Sequence, residues 1–393
     1  MTKNDKEQIL KWAFSPTTPI KKEEFFRGRI LQLEKICEAI NAEGQHAILF
    51  GERGVGKTSL ANIMADSITV IYPTKVTCGR TDNFKSIWKQ ALQQVQFSTT
   101  TTGLGFKAED IKGVTDLASS LNLDSSTFTF DLIRLLSNFA HLRFLFIFDE
   151  FDNITDREVR KLFADLIKSF SDNNTNTTIV LVGIANDVDK LIGNHQSLER
   201  CLKQIRMPRM SNLESQEIID QGLLKLEITI SDSLRSKIVE FASGFPHYVH
   251  LLCKYACEEV IKEERSEISE TDLNLAINKG IDNTNEQLKS AYRKAIIGLS
   301  TTNKWKDVIF SCAESKIDDF NCFSISDILL AYKNRTGKEV KGGSISYNLN
   351  QLCQKERGDI LERLDTGLNT RYRFVNPMMM AYIKLRINIE ETR

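Results

Sequence analysis

The chain has 393 residues, of which 41% are hydrophobic and 26% are charged. This composition is typical of a globular protein, and the length exceeds one ordinary hydrophobic core, so two or three domains are expected. No apolar run reaches the ~18 residues that span a bilayer, and the polar N-terminus lacks the apolar segment of a secretory signal. The eight cysteines are scattered, with no C-x-x-C pair. We therefore expect a cytoplasmic protein with free thiols and no membrane partner.

Positive charge is concentrated toward the C-terminus, although 52 basic and 52 acidic residues give a net charge of zero. The segment 287–393 contains 18 Lys and Arg against 12 Asp and Glu, an excess of six positive charges. A basic segment on an acidic body favours a polyanion as the partner of that segment. An uneven solvated surface explains the same asymmetry, so charge alone leaves both interpretations open.

The first predicted element is an N-terminal arm, residues 1–30, because Trp12–Ile20 contains two prolines and shows no helical period. Leu31–Ile40 follows with the apolar spacing of an amphipathic helix. Five apolar segments then alternate with helical stretches and are predicted to be buried strands: Ala47–Phe50, Lys75–Cys78, Phe144–Phe148, Ile179–Ile184 and Leu202–Met207. This alternation predicts an α/β fold with a parallel sheet covered on both faces, within a core domain of residues 31–211.

One segment interrupts the alternation of strands and helices. Phe97–Thr129 is rich in Ser and Thr, including the run Ser98–Thr102. Such composition predicts a surface loop, because the short polar side chains offer little apolar area to a core. An insertion that contacts a partner is the alternative.

The residues after the first strand have the pattern G-x-x-x-x-G-K-[ST] of a phosphate-binding loop, placed between a strand and a helix. The glycines let backbone N–H groups approach phosphate oxygens, and the positive end of the following helix attracts the same anion. Lys57 is expected to neutralise the β- and γ-phosphates of ATP, and Thr58 to bind Mg²⁺. A glycine turn without function is the alternative. The predicted nucleotide-binding residues here are Gly51, Glu52, Arg53, Gly54, Val55, Gly56, Lys57, Thr58 and Ser59.

Two carboxylates, Asp149 and Glu150, end the apolar strand Phe144–Phe148. Parallel sheets place their chemistry at the carboxyl ends of the strands. Asp149 is therefore predicted to hold Mg²⁺ with Thr58, and Glu150 to orient or deprotonate the attacking water. A strand that ends in surface acids is the alternative. The adjacent glutamate predicts hydrolysis of ATP as well as binding.

The next strand, Ile179–Ile184, is followed by Asn186, which in a parallel sheet is expected to emerge beside the strand of Asp149 and Glu150. From there its amide would contact the γ-phosphate or the attacking water. The alternative is that Asn186 and Asp187 start a turn. We predict a catalytic contribution from Asn186.

Taken together, these residues resemble the AAA+ ATPases, near the origin-recognition and STAND-type branches, over roughly residues 12–290. Phe26-Arg27-Gly28-Arg29 looks like their F-x-G-R box, which implies that Phe26, Gly28 and Arg29 lie against adenine. In this resemblance Asn186 occupies the sensor-1 position. The segment Ser197–Arg200 resembles the arginine-finger segment, which implies that Arg200 reaches a neighbouring subunit's γ-phosphate and that the protein is a homo-oligomer. An ordinary solvated arginine is the alternative.

Residues 212–286 show a helical pattern throughout, without a strand candidate, and are predicted to form an all-α lid. Ser243–Tyr248 matches the G-x-P motif of STAND ATPases, which implies that Pro246 packs near the base and couples nucleotide state to lid position. The sensor-2 arginine usual in origin-recognition ATPases is missing there, which favours a slowly cycling switch over a motor. Four lid residues are of the types that bind metal ions: His247, His250, Cys253 and Cys257. The favoured interpretation is that they are buried side chains on the core face of a helix.

The last segment, 287–393, shows three helical patterns (304–315, 326–336 and 343–355) and then two short strands (360–364 and 371–375). Three helices followed by a β-hairpin is the order of a winged-helix domain, which lays one helix in the major groove of DNA. The helix expected there is Gly343–Lys355, with Ile345, Leu349 and Leu352 on its apolar face and Ser346, Tyr347, Asn350 and Gln354 elsewhere. The predicted phosphate contacts are Lys338, Lys341, Lys355, Arg371 and Arg373.

These predictions describe an ATP- and Mg²⁺-dependent AAA+ ATPase. Its nucleotide state is expected to control self-assembly and the presentation of a C-terminal winged helix to double-stranded DNA. The alternative is a STAND-type regulator that acts on an effector or sensor protein in trans, for example in a bacterial defence or signalling system. A regulator that recruits another enzyme to DNA is a third interpretation. No effector motif is visible in the sequence, so any output is expected to pass through a partner.

Overall fold

A computed structural model describes residues 1–16, 28–67, 72–101, 111–121, 128–139, 141–173, 176–185, 188–193, 198–297, 304–366 and 369–391. These residues form two compact units. The sheet unit comprises Pro19–Glu52 and Gly56–Pro208, and the helical unit comprises Met1–Thr18, Arg53–Val55 and Arg209–Arg393. Within the described ranges, no helix has both the length and the apolar character needed to cross a membrane.

The sheet unit alternates strands and helices, as the sequence predicts. With numbering along the whole chain, its elements are α2 (Ile30–Asn41), β1 (His46–Gly51), α3 (Lys57–Ser67), β2 (Tyr72–Thr77), α4 (Phe84–Gln93), β3 (Gln96–Thr101), β4 (Ile111–Asp116), α5 (Phe128–Asn138), β5 (Phe144–Asp149), α6 (Arg157–Asp172), β6 (Thr177–Ile184), α7 (Asp189–Ile192) and β7 (Leu202–Met207). All five predicted strands and the predicted helix at Leu31–Ile40 are therefore confirmed, with ends that shift by up to three residues.

The five long apolar strands form one parallel sheet in the order β2-β5-β6-β1-β7. Every residue of β1 and β5 is buried, as expected for strands that are covered on both faces. This order makes β6 the direct neighbour of β5, which confirms that the strand before Asn186 lies beside the strand of Asp149. The carboxyl ends of β1, β5 and β6 therefore meet at one edge.

An aromatic cluster fills one side of the sheet. Trp88 of α4 packs against Phe146 and Phe148 of β5, with ring centroids 4.9 and 5.2 Å apart, and Phe163 of α6 packs against Phe148 and Phe151. All five side chains are fully buried. Burying aromatic side chains of this size contributes about 2–3 kcal/mol each, so the cluster fixes α4 and α6 on the strand that carries the acidic residues.

The Ser- and Thr-rich segment is not a simple loop. β3 and β4 form an antiparallel pair from Gln96↔Asp116 to Thr101↔Ile111, so the loop prediction is wrong for the residues of these strands. Threonine is β-branched and favours extended backbone. The loop prediction rested on the polarity of these residues and not on this preference. Residues 102–110, between the two strands, lie outside the described ranges.

The helical unit contains helices from both ends of the chain. Its elements are α1 (Lys3–Ala13), α8 (Asn212–Leu226), β8 (Thr229–Ile230), α9 (Asp232–Ala242), α10 (Pro246–Lys262), β9 (Glu267–Ile268), α11 (Glu270–Asp282), α12 (Glu286–Ile296), α13 (Lys304–Glu314), β10 (Phe323–Ser324), α14 (Ile325–Thr336), α15 (Gly342–Leu352), β11 (Leu361–Thr366), β12 (Asn369–Phe374) and α16 (Met379–Glu391). The predicted lid is helical except for β8 and β9, which pair in parallel and which the sequence analysis missed because each has only two residues.

The predicted arm begins with a helix. Thr2 and Asp5 form a capping box at the start of α1, and α1 packs on α8 and α10. The adjoining Phe14 is buried against Gly222 of α8, where an added Cβ would lie 2.3 Å from its ring. The two prolines that suggested an irregular arm come after this helix, so they do not interrupt it.

The C-terminal segment has the predicted order of elements. Helices α13, α14 and α15 precede the antiparallel pair of β11 and β12, and the short strand β10 adds a third strand to this sheet. The segment ends with α16, in which Met379 and Met380 are buried core residues. The domain boundaries at residues 211, 286 and 287 remain predictions, because the helical unit includes both predicted C-terminal domains.

Candidate nucleotide-binding site

The loop between β1 and α3 needs glycine at several positions for different reasons. Gly54 has φ = 87° and Gly56 has φ = 97°, a backbone conformation that side chains with a Cβ disfavour. Gly51 ends β1, and a Cβ there would lie 2.4 Å from the carbonyl oxygen of Met207 on β7. The loop therefore keeps a tight curl with its backbone accessible, which suits phosphate oxygens.

Lys57 begins α3 and lies inside this curl. Its side chain is buried, and Nζ donates to the carbonyl oxygens of Gly51 at 2.9 Å and Glu52 at 2.7 Å. Burial lowers the pKa of Lys57 to about 8, while the nearby Asp152 and Asp149 carboxylates oppose this shift. Two neutral carbonyls are weak compensation for a buried ammonium, so this position favours an anion that replaces them.

The Thr58 hydroxyl and the Asp149 carboxylate lie together at the same edge. Thr58 Oγ1 is 3.5 Å from Asp149 Oδ1, and Asp149 is 2% exposed. A hydroxyl and a carboxylate are hard oxygen donors of the kind that bind Mg²⁺ beside a phosphate. With the glycine curl and the buried Lys57, this donor set fits the predicted Mg²⁺ and ATP.

Glu150 has an unusual backbone conformation. Its φ of 54° and ψ of 36° place a non-glycine residue in the left-handed region, which costs about 1–2 kcal/mol. The side chain is exposed, and Oε2 accepts a hydrogen bond of 3.1 Å from Asn153 Nδ2, which also donates to the Cys78 carbonyl. Asn153 therefore holds the Glu150 carboxylate, a role that the sequence analysis missed because Asn153 belongs to no recognised pattern.

Asp152 connects the loop after β5 to the end of β6. Its Oδ1 accepts a hydrogen bond of 2.7 Å from the N–H of Ile184, and it lies close to Gly183. Asp152 is not among the predicted site residues, because its only signal in the sequence is its place two residues after the acidic pair. Asn186 lies outside the described residues, so its contact with the γ-phosphate or water stays a prediction.

The structure describes only part of the F-x-G-R box that is predicted to lie against adenine. Phe26 lies outside the described ranges. Gly28 has φ = 78°, and Arg29 is buried, with Nη2 donating to the Pro208 carbonyl at 2.8 Å. In the structure Arg29 therefore ties the start of α2 to the end of the sheet unit, and contact of this box with adenine stays a prediction.

In the G-x-P segment of the lid, Gly244 and Pro246 have clear local roles. Gly244 has φ = 78°, and a Cβ there would lie 2.7 Å from the Met210 carbonyl. Pro246 is the first residue of α10, a position where its missing N–H leaves no hydrogen bond unmade. The turn thus requires these residue types, while contact of Pro246 with a base stays a prediction.

Arg200 lies at the opposite edge of the sheet from the phosphate-binding loop. The carbonyl of its neighbour Cys201 accepts a hydrogen bond from His46, the first residue of β1, whereas the loop follows the last residue of β1. A six-residue strand spans roughly 20 Å. Arg200 is 68% exposed and forms an ion pair with Asp172. Within one chain it is therefore remote from Lys57.

Three of the four His and Cys residues of α10 are core residues, as the favoured interpretation predicted, and His247 is partly buried. His250, Cys253 and Cys257 are buried, and His247 Nδ1 lies 2.8 Å from the Pro16 carbonyl. Burial raises the pKa of the Cys253 and Cys257 thiols and lowers that of His250 to about 4. In the ranges that the structure describes, no cluster of three or more potential metal ligands is found.

Helix α15 has the two faces that the sequence predicted. Ile345, Leu349 and Leu352 are buried, while Tyr347 is 62% exposed. Asn350 Oδ1 accepts hydrogen bonds from Tyr372 and Arg363 on the hairpin strands. Asn350 therefore fixes the hairpin to this helix.

The five cations predicted to contact phosphate fall into two groups. Arg371 is paired with Asp318 and Arg373 with Glu362. Lys338, Lys341 and Lys355 are exposed, and in the part of the chain that the structure describes no carboxylate pairs with them. All three lysines flank α15, so the accessible positive charge of this group is concentrated around one helix.

Comparison with known proteins gives a family match for the sheet unit. Residues 47–209 match the AAA family, described as the ATPase family associated with various cellular activities. This range includes most of β1, the phosphate-binding loop, Asp149 and Glu150, so this part of the chain is similar to the ATPase domains of that family. A search of curated proteins finds no match to the chain.

Several solved structures are similar to this chain at low sequence identity. A Walker-type ATPase of Pyrococcus abyssi matches with 14% identity and a TM-score of 0.53, over 94% of this chain and 99% of that chain. Cdc6p from Pyrobaculum aerophilum matches with 16% identity and a TM-score of 0.47, over 98% and 99%. The Aeropyrum pernix ORC1 protein in complex with DNA matches with 14% identity and a TM-score of 0.46, over 98% and 97%. The P. abyssi likeness supports the α/β fold.

We expect Lys57→Ala to abolish nucleotide binding, because the phosphates lose the buried ammonium that compensates their charge. Titration with a fluorescent ATP analogue would measure this, with folding checked by circular dichroism. Lys161→Ala, which removes an exposed lysine from α6, is the matched control and should bind as the wild type does. Unchanged affinity in Lys57→Ala would show that the loop does not bind phosphate.

Proposed function

We propose that this protein is an ATP-hydrolysing switch whose nucleotide state controls self-assembly and the presentation of a C-terminal winged helix to double-stranded DNA. The observation that carries the proposal is the grouping of Lys57, Thr58, Asp149 and Glu150 at one edge of the sheet, within the segment that matches the AAA family. These four side chains supply the cation, the metal ligands and the base that phosphoanhydride hydrolysis requires.

In this proposal Lys57 exchanges its carbonyl partners, Gly51 and Glu52, for phosphate oxygens. Thr58 and Asp149 would hold the Mg²⁺ that accompanies ATP, and this ion would neutralise charge on the phosphates while the γ-phosphoryl group is transferred to water. Glu150 orients the water and takes its proton at the carboxylate, which the Asn153 amide keeps in place through Oε2.

The position of Arg200 supports assembly. Because it stands at the edge of the sheet away from its own loop, its guanidinium can act on a nucleotide only in another copy of the chain. Arg200 is available for that role because it is exposed and because its surface ion pair with Asp172 is expected to stabilise the chain by about 1 kcal/mol or less. We infer that a second copy completes the site by placing Arg200 near the γ-phosphate, as an arginine finger does.

DNA is the partner that the C-terminal segment favours. The order of three helices and a hairpin fits a winged helix, and Lys338, Lys341 and Lys355 place accessible positive charge at both ends of α15. Three phosphate contacts give sequence-independent binding that weakens as salt rises. Polar side chains on the same helix, among them Ser346 and Gln354, suit contacts with phosphates or base edges.

A second candidate is a STAND-type switch that acts on an effector protein. Two observations favour it: Arg371 and Arg373 are already neutralised by carboxylates, and Tyr347 presents an exposed aromatic ring on α15. Tyrosine on a surface with reduced net charge is typical of protein interfaces. DNA binding and a stable protein complex at the same helix face are therefore the outcomes to compare.

We expect Glu150→Gln to retain ATP but to slow hydrolysis by about 10²–10⁴-fold, because the amide accepts no proton from water. Phosphate release would measure turnover, and equilibrium binding of an ATP analogue would measure retention. Glu158→Gln makes the same chemical change at an exposed position of α6 and should leave turnover intact. Normal turnover in Glu150→Gln would remove this residue from the mechanism.

Arg200→Ala and Glu150→Gln should complement each other if Arg200 acts between copies. Each variant alone is expected to be inactive, while a mixture forms some sites with an intact Glu150 from one copy and an intact Arg200 from the other. Activity of the mixture should rise with protein concentration, because it depends on assembly. A mixture no more active than its components, or an equal loss of activity of Arg200→Ala in dilute monomer, would contradict the role in trans.

Duplex DNA should stimulate ATP hydrolysis, and the effect should fade as salt rises, because phosphate contacts release counterions. The double variant Lys338→Ala/Lys341→Ala should lose most of this stimulation while keeping basal turnover. Lys294→Ala/Lys316→Ala removes the same charge from exposed positions outside α15 and the residues that flank it in sequence and serves as the control. If both double variants lose the stimulation by DNA equally, or if DNA does not change the rate of ATP hydrolysis, the result would favour a protein partner.

A further inference from the structure

Lys75 forms a contact with Asp149 that the functions described above do not use. Its Nζ lies 3.0 Å from Asp149 Oδ2 and donates a hydrogen bond of 2.6 Å to Asn62 Oδ1. Asn62 stands one helical turn after Thr58 on α3, so both side chains belong to the same face of that helix. The ammonium therefore lies among the residues that would surround the metal.

The strand holds Lys75 firmly at this position. On one side its backbone pairs with β5 in the register Lys75↔Ile147. On the other side the Gln94 amide completes the edge of the sheet, since Lys75 N–H donates to Gln94 Oε1 at 3.1 Å and Gln94 Nε2 donates to the Lys75 carbonyl at 3.0 Å. The side chain is only 19% exposed. Lys75 is thus a fixed part of the site, unlike a solvated surface lysine.

The contacts of Asp149 show why this charge matters. Oδ1 accepts a hydrogen bond from the Glu150 N–H at 2.9 Å and faces Thr58 Oγ1, while Oδ2 meets the Lys75 ammonium. A carboxylate that is 3% exposed would be costly without a cation nearby. A divalent ion that binds the same carboxylate meets the repulsion of the fixed ammonium.

We propose that Lys75 is a positioning residue that neutralises Asp149 before the metal arrives and then competes with Mg²⁺ for this carboxylate. Lys75 thereby sets the Mg²⁺ concentration at which nucleotide becomes tightly bound. It also leaves a cation close to the phosphates when Mg²⁺ is absent, so the protein retains nucleotide through metal loss. The inference rests on the proposed binding of nucleotide at the phosphate-binding loop.

The test measures binding of a fluorescent ADP analogue as Mg²⁺ is raised from an EDTA solution to saturation. Lys75→Gln keeps a hydrogen-bond donor for Asn62 and Asp149 but removes the charge, and Lys75→Met removes both. In both variants the Mg²⁺ midpoint should fall by about tenfold, and affinity in EDTA should weaken. Lys75→Arg keeps the charge and should resemble the wild type.

Lys203→Met is the matched control, because Lys203 is an ion-paired lysine on the other edge strand, β7, with Glu38 as its partner. It should leave the Mg²⁺ midpoint unchanged. A Lys75→Gln protein that folds, binds the analogue and shows the wild-type midpoint, or a higher one, overturns the inference. If Lys75→Met fails to fold, the Mg²⁺ midpoint of Lys75→Gln alone tests the inference. A wild-type protein that never binds the analogue would instead overturn the proposed function.

Discussion

Burial of the parallel sheet on both faces is the constraint on which the rest of this structure depends. β1 and β5 have no exposed residue, so no position inside these strands is open to a charged group that must reach a ligand. In these two strands polar chemistry is therefore confined to their carboxyl ends and to the residues that follow. The phosphate-binding loop follows β1, and Asp149 closes β5. Both lie at the carboxyl edge because the strands are parallel.

The second constraint is the cost of a buried charge, and it explains the arrangement around Asp149. A carboxylate at this depth needs hydrogen bonds and a cation. The Glu150 N–H and the Lys75 ammonium supply them. Lys57 shows the complementary case, since its buried ammonium has two backbone carbonyls as partners and its pKa is lowered to about 8. The same edge of the sheet thus holds both signs of charge, which suits a ligand that combines a polyanion with a metal ion.

The helical unit has a different basis of stability. Its helices begin at capping residues such as Ser211, Ser231 and Ser269, and its N-terminal helix is held by Phe14 in the space that Gly222 leaves free. The hairpin at its C-terminal end is fixed to α15 through Asn350. The caps are local, whereas Phe14 meets Gly222 from the other end of the unit. The surface around α15 depends on the packing of this helix against α13, α14 and β11.

The sequence by itself determined the elements with strong local signals. Apolar runs predicted the five sheet strands, and the glycine pattern with Lys57 and Thr58 predicted the loop, because backbone conformation and charge at these positions depend on neighbouring residues. The acidic pair after β5 was predicted for the same reason. Two other local signals led to wrong predictions. The polar, threonine-rich composition predicted a loop where β3 and β4 pair, and two prolines predicted an irregular arm where α1 forms. In both cases the prediction weighed composition more heavily than backbone preference.

Only the tertiary structure decided which distant side chains meet. Nothing in the sequence near Lys75 indicates Asp149, 74 positions away, because that contact follows from the order β2-β5 and its register. The contact of Asn153 with the Cys78 carbonyl, the contact of Asp152 with the Ile184 N–H and the edge position of Arg200 have the same origin. Strand order and register are set by the packing of whole elements, which minimises exposed apolar area over the chain. For that reason the sequence determined the kind of chemistry, and the fold decided which residues surround it.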